Sequence, residues 1–219
     1  MSQVRLIAFT QPIELEGFQT GEELVAYCAR VSNPANQANH ETAPRLLNYL
    51  VRNQHWSPFE MAHAVIEIQT TRDIARQILR HRSFSFQEFS QRYAEVVADP
   101  VLREARLQDT TNRQNSVNID DSGMQSWWRM QQESVADIAL RAYQEALELG
   151  IAKEVARAVL PEGLTPSRLY MAGSIRSWIH YIQLRASNGT QKEHREIAVM
   201  CKLALLHVMP SIKEILNEE

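Results

Sequence analysis

Glycine is scarce in this chain. The seven glycines stand at 17, 21, 123, 150, 163, 173 and 189. They are never close enough to form G-x-G-x-x-G or G-x-x-x-x-G-K, which excludes both common phosphate cradles. A nucleotide bound here must rely on arginines and helix N-termini. Cysteine is scarcer still. Cys28 and Cys201 are the only two, each in apolar, helix-like surroundings ("LVAYCARV", "AVMCKLAL"), so two buried thiols are expected in place of a disulfide or a nucleophile. Positive charge is not in excess either. A net charge of −3 offers no general electrostatic footprint for duplex DNA or an anionic membrane, so any bound anion must meet a local cluster. No apolar run approaches the ~20 residues of a membrane span. The stretch "MSQVRLIAFTQPIELEG" lacks the apolar core and small-residue cleavage site of a signal peptide. The cytoplasm is therefore the expected compartment, with neither nucleic acid nor membrane as partner. Seven histidines are present, but His55 and His63 are eight apart and no His or Cys pair has zinc-ligand spacing, so no metal site is expected.

The 219 residues, 44% hydrophobic and 22% charged, suffice for one sizeable core. "QVRLIAF" reads as a strand. "TGEELVAYCARVS" reads as a helix, with Thr20 and Glu23 spaced as a capping box. "ETAPRLLNYLVRN" forms a second helix through Leu46, Leu47 and Leu50. "HWSPFEMAHAVIEIQTT" has a Ser-Pro entry followed by strand-like Val65, Ile66 and Ile68. "TRDIARQILRH" returns to helical spacing. Asp99 to Ser122 is polar and without clear period, which predicts a long surface excursion. "SWWRMQQESVADIALRAYQEALELG" is the longest helix, ending at Gly150 as its C′ residue, and "AKEVARAVLP" is a short helix stopped by Pro161. "IRSWIHYIQLRAS" and "TQKEHREIAVMCKLALLHVM" are two more, the latter with Thr190 and Glu193 in capping-box spacing. Trp127, Trp128 and Trp178 are expected in the core or at a subunit interface. The mixture points to one α+β domain over residues 1–219, rich in helix and with few strands.

One stretch stands out. "LRHRSFSFQEFSQRY", Leu79 to Tyr93, holds three arginines, a histidine, three serines, three phenylalanines and a single glutamate. Arg72, Arg76 and Arg80 are four apart and share a helix face, with Gln77 on part of it. On that face alone they read as a solvated basic stripe, Asp73 answering Arg76. Arg80, His81 and Arg82 are consecutive, so they aim donors in several directions around a helix end. If the following piece is extended, Glu88, Ser90 and Arg92 lie on one side, with Phe89 and Gln91 on the other. Ser90 and Arg92 suit a phosphate, by one hydroxyl and one bidentate guanidinium. Glu88, an acceptor only when ionised, suits ribose hydroxyls or a ring N–H. An anion site beside such a carboxylate implies a nucleotide. A phosphoryl-transfer enzyme would also need carboxylates grouped for Mg²⁺, where the motif supplies only Glu88. An RNA-binding module would explain arginines among aromatics but not the net charge.

"RHRSFSFQEFSQRY" resembles the R-H-R-x7-S signature of the flavin-dependent thymidylate synthases, running here from Arg80, His81 and Arg82 to Ser90. "HWSPFEMAH" is similar to another element of that family, through His55, Ser57 and Glu60. "ARAVLP" resembles the stretch with a substrate-contacting arginine, here Arg157. "LRASNGTQKEHREIA" resembles the segment with the activating arginine, here Arg185. The resemblance implies an antiparallel sheet flanked by helices, assembled as a homotetramer with sites between subunits. It implies conversion of dUMP to dTMP with 5,10-methylenetetrahydrofolate as one-carbon donor and NADPH as reductant through FAD, without an enzyme nucleophile. By the same resemblance Ser57, Arg80, His81, Arg82, Glu88, Ser174, Arg176 and His180 would hold FAD. Gln77, Arg80, Glu88, Phe89, Ser90, Gln91, Arg92, Arg157 and Arg185 would hold dUMP, with Arg185 nearest to catalysis. Many members have Asn where this chain has Gln87, Ser174 and His180, all of which can still hydrogen-bond. Arg176 and His180 are one turn apart and share a face, whereas Arg185 points about 140° from His180, so it could meet the pyrimidine while they meet the cofactor.

Overall fold

A computed structural model of the chain describes residues 2–96, 99–213 and 216. Four strands form one antiparallel sheet: β1 (Gln3–Phe9), β2 (His63–Thr71), β3 (Ser85–Glu88) and β6 (Pro166–Ser174), in the order β1-β2-β6-β3. Around it run α1 (Gly21–Ala29), α2 (Pro34–Gln37), α3 (Ala43–Arg52), α4 (Arg72–Ile78), α5 (Ser122–Glu148), α6 (Lys153–Ala156), α7 (Ile175–Arg185) and α8 (Lys192–Val208). The architecture is α+β, as expected. A 3-10 turn, Ser57–Glu60, leads into β2, and a hairpin of β4 (Arg106–Gln108) and β5 (Ser116–Asn118) stands apart from the main sheet. No helix among the described residues is long and apolar enough to cross a membrane.

Alternation along the central strands explains the layering. In β2, Ala64, Ile66 and Ile68 have no exposure, and in β6 Leu169 and Met171 likewise. Their neighbours Glu67, Arg168 and Tyr170 belong to the opposite, charged face, where Arg5 lies 3.3 Å from Glu67. Against the apolar face sit Ile74 and Ile78 of α4, Trp178 and Ile179 of α7, and Ile197, Cys201 and Leu205 of α8, all fully buried. Trp178 donates its indole N–H to the Ala64 carbonyl at 3.3 Å, so the polar edge of the largest core side chain is satisfied by the sheet itself.

Strand β6 was not expected. Its inward positions include Ser167 and Gly173 beside Leu169 and Met171, too few large apolar residues to show a period. Gly173 has a specific reason to be small. A Cβ there would come within 2.5 Å of the Phe84 ring, which stacks edge-on against Trp178 at 4.8 Å. The aromatic residues of the Arg-rich stretch therefore anchor it to the core.

Several local expectations need correcting. The Thr20–Glu23 capping box forms in both directions, and Gly150 follows α5 with φ +80°. The box expected at Thr190 and Glu193 does not form: Gln191 is the N-cap, without a side-chain cap bond. The Glu193 carboxylate is drawn instead to Arg106 and to Gln191 Nε2. Residues 99–122 are less of a free excursion than their polarity suggests. Gln132 on α5 brackets Arg103, its Oε1 accepting from the Arg103 N–H and its Nε2 donating to the Arg103 carbonyl, each at 2.8 Å. Gln125 does the same for Ala105 at 2.8 and 3.0 Å. Asp73 does not answer Arg76. It binds Arg103 at 2.8 Å, while Arg76 pairs with Glu162. Of the two thiols, Cys201 is fully buried but Cys28 only partly.

Gly173→Ala should cost about 1–3 kcal/mol by forcing Phe84 off Trp178. Urea unfolding of the variant checks this, and an unchanged midpoint would remove the close approach as a constraint.

Candidate active site

Helix α4 ends at Ile78, so Arg80, His81 and Arg82 lie just past it. The triplet divides. Arg80 and Arg82 are exposed and their guanidiniums make no hydrogen bond or ion pair among the described residues. His81 turns inward. Its ring meets Tyr181 of α7 edge-on at 4.9 Å, and its Nε2 accepts a hydrogen bond of 2.9 Å from Arg185 Nε. Burial, then the Arg185 charge, pulls His81 down from its ordinary 6.5 to about 4. The ring is therefore neutral near pH 7, with its proton on Nδ1. Arg185, the last residue of α7, is held through Nε alone, and its terminal N–H groups have no partner among the described residues. A pinned guanidinium with an open fork is suited to meet an anion or a carbonyl oxygen.

A second set gathers where the 3-10 turn meets the start of α7. Arg176 donates to Glu60 at 2.9 Å, and His180 packs on Trp56 with ring centres 4.5 Å apart. Ser174 is buried and caps α7 by accepting from the Ser177 N–H at 3.3 Å. The Ser174 hydroxyl, followed by Arg176, holds the Glu60 carboxyl below its usual range. Ser57 is exposed at the head of the turn.

The third set departs from the extended reading. Strand β3 stops at Glu88, and Phe89 makes a last bond to Arg168. The Ser90 carbonyl then accepts from the Tyr93 and Ala94 N–H groups, so the chain turns and the alternation through Arg92 is lost. Glu88 accepts from the Ser167 hydroxyl at 2.8 Å and lies 3.5 Å from Arg72. Gln91 is buried, with its Nε2 unpartnered. Arg92 and Arg157 come together around Glu154: Arg92 pairs with its carboxylate at 3.4 Å and Arg157 Nε donates to its carbonyl at 3.3 Å. No hydrogen bond or ion pair among the described residues directly joins the three sets.

Tyr181, His194 and Gln191 border the first set, although no motif in the sequence marks them. Gln77 donates to Gln191 at 2.7 Å and faces His194 at 3.2 Å. The usable signal was a histidine on the apolar stripe of α8, in phase with Ile197 and Cys201. No group of three or more His, Cys, Asp or Glu among the described residues could hold a metal.

Residues 14–211 match the family model described as Thymidylate synthase complementing protein. The chain is 52% identical over 213 residues to a probable flavin-dependent thymidylate synthase of Paramecium bursaria Chlorella virus 1, covering 97% of this chain and 98% of that one. The chain belongs to the flavin-dependent thymidylate synthase family. A flavin-dependent thymidylate synthase of Synechocystis sp. is 49% identical, with 95% and 96% covered. The crystal structure of a UMP/dUMP methylase, PolB from Streptomyces cacaoi, bound with 5-Br dUMP superposes with a TM-score of 0.83 at 27% identity, covering 98% of this chain and 93% of that one. As a member of the flavin-dependent thymidylate synthase family, this chain is an enzyme of the methyltransferase kind.

His81 gives this family member a pH signature. Above pH 6.5 the folded and unfolded chains both carry it neutral. As the pH falls from 6.5 towards 4, the unfolded chain takes up a proton that the folded one refuses, so stability is lost across that window and levels off below it. Thermal midpoints between pH 7 and 4 should fall accordingly. His81→Gln, which keeps an acceptor for Arg185, should make the slope shallower while leaving the part due to buried His194, whose ring is also held down, at about 3; an identical slope in both proteins would rule His81 out as a source.

Proposed function

We propose that this chain converts dUMP to dTMP in the cytoplasm. The one-carbon unit comes from 5,10-methylenetetrahydrofolate and the electrons from NADPH through FAD. Residues 1–219 act as one domain of a homotetramer whose sites lie between subunits. The observation that carries this reading is Arg185, pinned to His81 with an open fork, beside Arg80 and Arg82, which have no partner among the described residues. Three guanidinium groups left available in one region of a chain with net charge −3 answer an anionic substrate and an anionic cofactor together.

The residues fit a flavin dinucleotide without a glycine cradle. Arg80 and Arg82 would take its phosphates, with Ser57 adding a hydroxyl. Arg176 and His180 would approach from α7, seated by Ser174, with His81 behind. The exposed Arg176–Glu60 pair is worth ~0–1 kcal/mol and can yield to a phosphate. FAD supplies a two-electron carrier between nicotinamide and the one-carbon unit. On the nucleotide side, Gln77, Arg80 and Arg185 of one subunit would face Glu88, Phe89, Ser90, Gln91, Arg92 and Arg157 of another, and Glu88 would touch both ligands. That no hydrogen bond or ion pair among the described residues joins these sets supports a shared site. So does an exposed apolar row on α5, where Trp127 is 54% and Ile138 60% accessible.

Uracil becomes a carbon nucleophile only if charge can build on N3 and its carbonyl oxygens. Arg185 stays protonated and would stabilise that charge. No protein nucleophile is invoked. Cys201 is sealed in the core and burial pushes its thiol up, as burial does for Cys28, so neither supplies a thiolate.

The test is anaerobic turnover with dUMP, methylene-folate and NADPH, with and without FAD. A colourless protein that forms no dTMP would end the proposal. Arg185→Ala should keep its flavin and lose about 10²–10³-fold in turnover; full activity would refute the role. Ser90→Ala should raise KM for dUMP about fivefold with chemistry intact, whereas complete loss at saturating dUMP would make Ser90 a nucleophile.

A further inference from the structure

His194 has no part in the reading above. It is fully buried on the stripe of α8 that carries Ile197, Cys201 and Leu205. For packing alone, an apolar side chain would serve there without burying two ring nitrogens. Both nitrogens are engaged, Nδ1 at 3.2 Å from Gln77 Oε1 and Nε2 at 3.1 Å from the Tyr181 hydroxyl.

The direction of every bond in this chain follows from one carboxylate. Glu193, paired with Arg106, can only accept. Gln191 therefore turns its NH₂ towards Glu193, at 2.9 Å, and its Oε1 towards Gln77. Gln77 must then donate with Nε2 to that oxygen, at 2.7 Å, which leaves its Oε1 facing His194. His194 donates from Nδ1, and the lone pair on Nε2 accepts from the Tyr181 O–H. Burial holds His194 at about 3 and pushes the Tyr181 phenol up, so neither end of the chain changes its proton near pH 7. The Tyr181 ring in turn lies edge-on to His81, the acceptor for Arg185.

We propose that His194 is a positioning residue, fixing the orientation of Gln77 towards the uridylate and, through Tyr181, seating the His81–Arg185 pair. The proposal rests on the reading of Gln77 and Arg185 as nucleotide ligands. An ionised glutamate thereby sets the amide orientation of a residue in the site through one glutamine relay, and the histidine locks it from the other side.

The flavin-loaded full chain tests this with two substitutions. His194→Phe fills the ring volume without either hydrogen bond. His194→Asn places an amide N–H near the position of Nδ1 and keeps the bond to Gln77, at the cost of a void. With fold and flavin content retained, His194→Phe should raise KM for dUMP about tenfold with kcat changed less, and His194→Asn should return it to within about threefold of wild type, the size of one hydrogen bond made or lost. A packing role predicts the opposite order, with Asn worse than Phe, and would overturn the proposal, as would equal KM values in all three proteins. Should His194→Phe not fold, His194→Gln replaces it. That side chain reaches the Tyr181 bond and drops the Gln77 bond, so it must bind dUMP more weakly than His194→Asn. A wild type that takes up neither flavin nor dUMP sinks the reading of the site itself, whereas an active wild type with indifferent variants sinks only the role of His194.

Discussion

The pairing of β2 with β6 is the constraint on which the rest depends. The two strands are in register from His63 opposite Ser174 to Thr71 opposite Pro166, and each runs directly into a helix, β2 into α4 and β6 into α7. Because the strands are antiparallel, the two helices leave opposite ends of the same pair. Arg185 at the end of α7 and His81 just beyond α4, 104 positions apart, thus come within hydrogen-bond distance. A slip of one residue would turn Ile66, Ile68, Leu169 and Met171 outward. The buried apolar face thereby enforces the register that brings Arg185 to His81.

Electrostatics then sorts the arginines by partner. Arg72, Arg76, Arg92, Arg103, Arg106 and Arg176 each have a carboxylate. Arg80, Arg82 and the terminal nitrogens of Arg185 have none among the described residues. Buried members such as Arg106, with a side chain 10% exposed, serve the structure. Breaking such a pair would leave a charge uncompensated. Exposed members such as Arg92 are held loosely, since a solvated pair contributes ~0–1 kcal/mol. Among the described residues the chain therefore presents both cations without a partner and cations that a stronger anion can recruit.

Legibility from sequence followed the range of the interactions involved. The Thr20–Glu23 box was readable because both partners lie within one turn and nothing distant competes. The same spacing at Thr190–Glu193 misled because Arg106, 87 positions away, takes the carboxylate. Strand β6 hid because Gly173 yields space to Phe84, a contact no local pattern encodes. The opposition of Arg176 and His180 to Arg185 held, because helical phase alone sets it: two of them meet Glu60 and Trp56, the third His81. The alternation through Ser90 and Arg92 failed because the chain turns at Ser90, whose carbonyl accepts from the Tyr93 and Ala94 N–H groups, before it can pair with the Pro166 end of β6.

A folded chain seldom leaves buried polar atoms unpaired, yet Gln91 Nε2 is one such atom, in the same stretch as Ser90 and Arg92. That stretch makes no direct hydrogen bond or ion pair, among the described residues, to the open guanidinium of Arg185. Each group lacks a partner of the kind the other region could help to bind: an anion for the cations, an acceptor for the amide. A uridylate has both, a phosphate and a ring with carbonyl oxygens. On the proposed reading of a shared site, a second copy of the chain would supply the facing half.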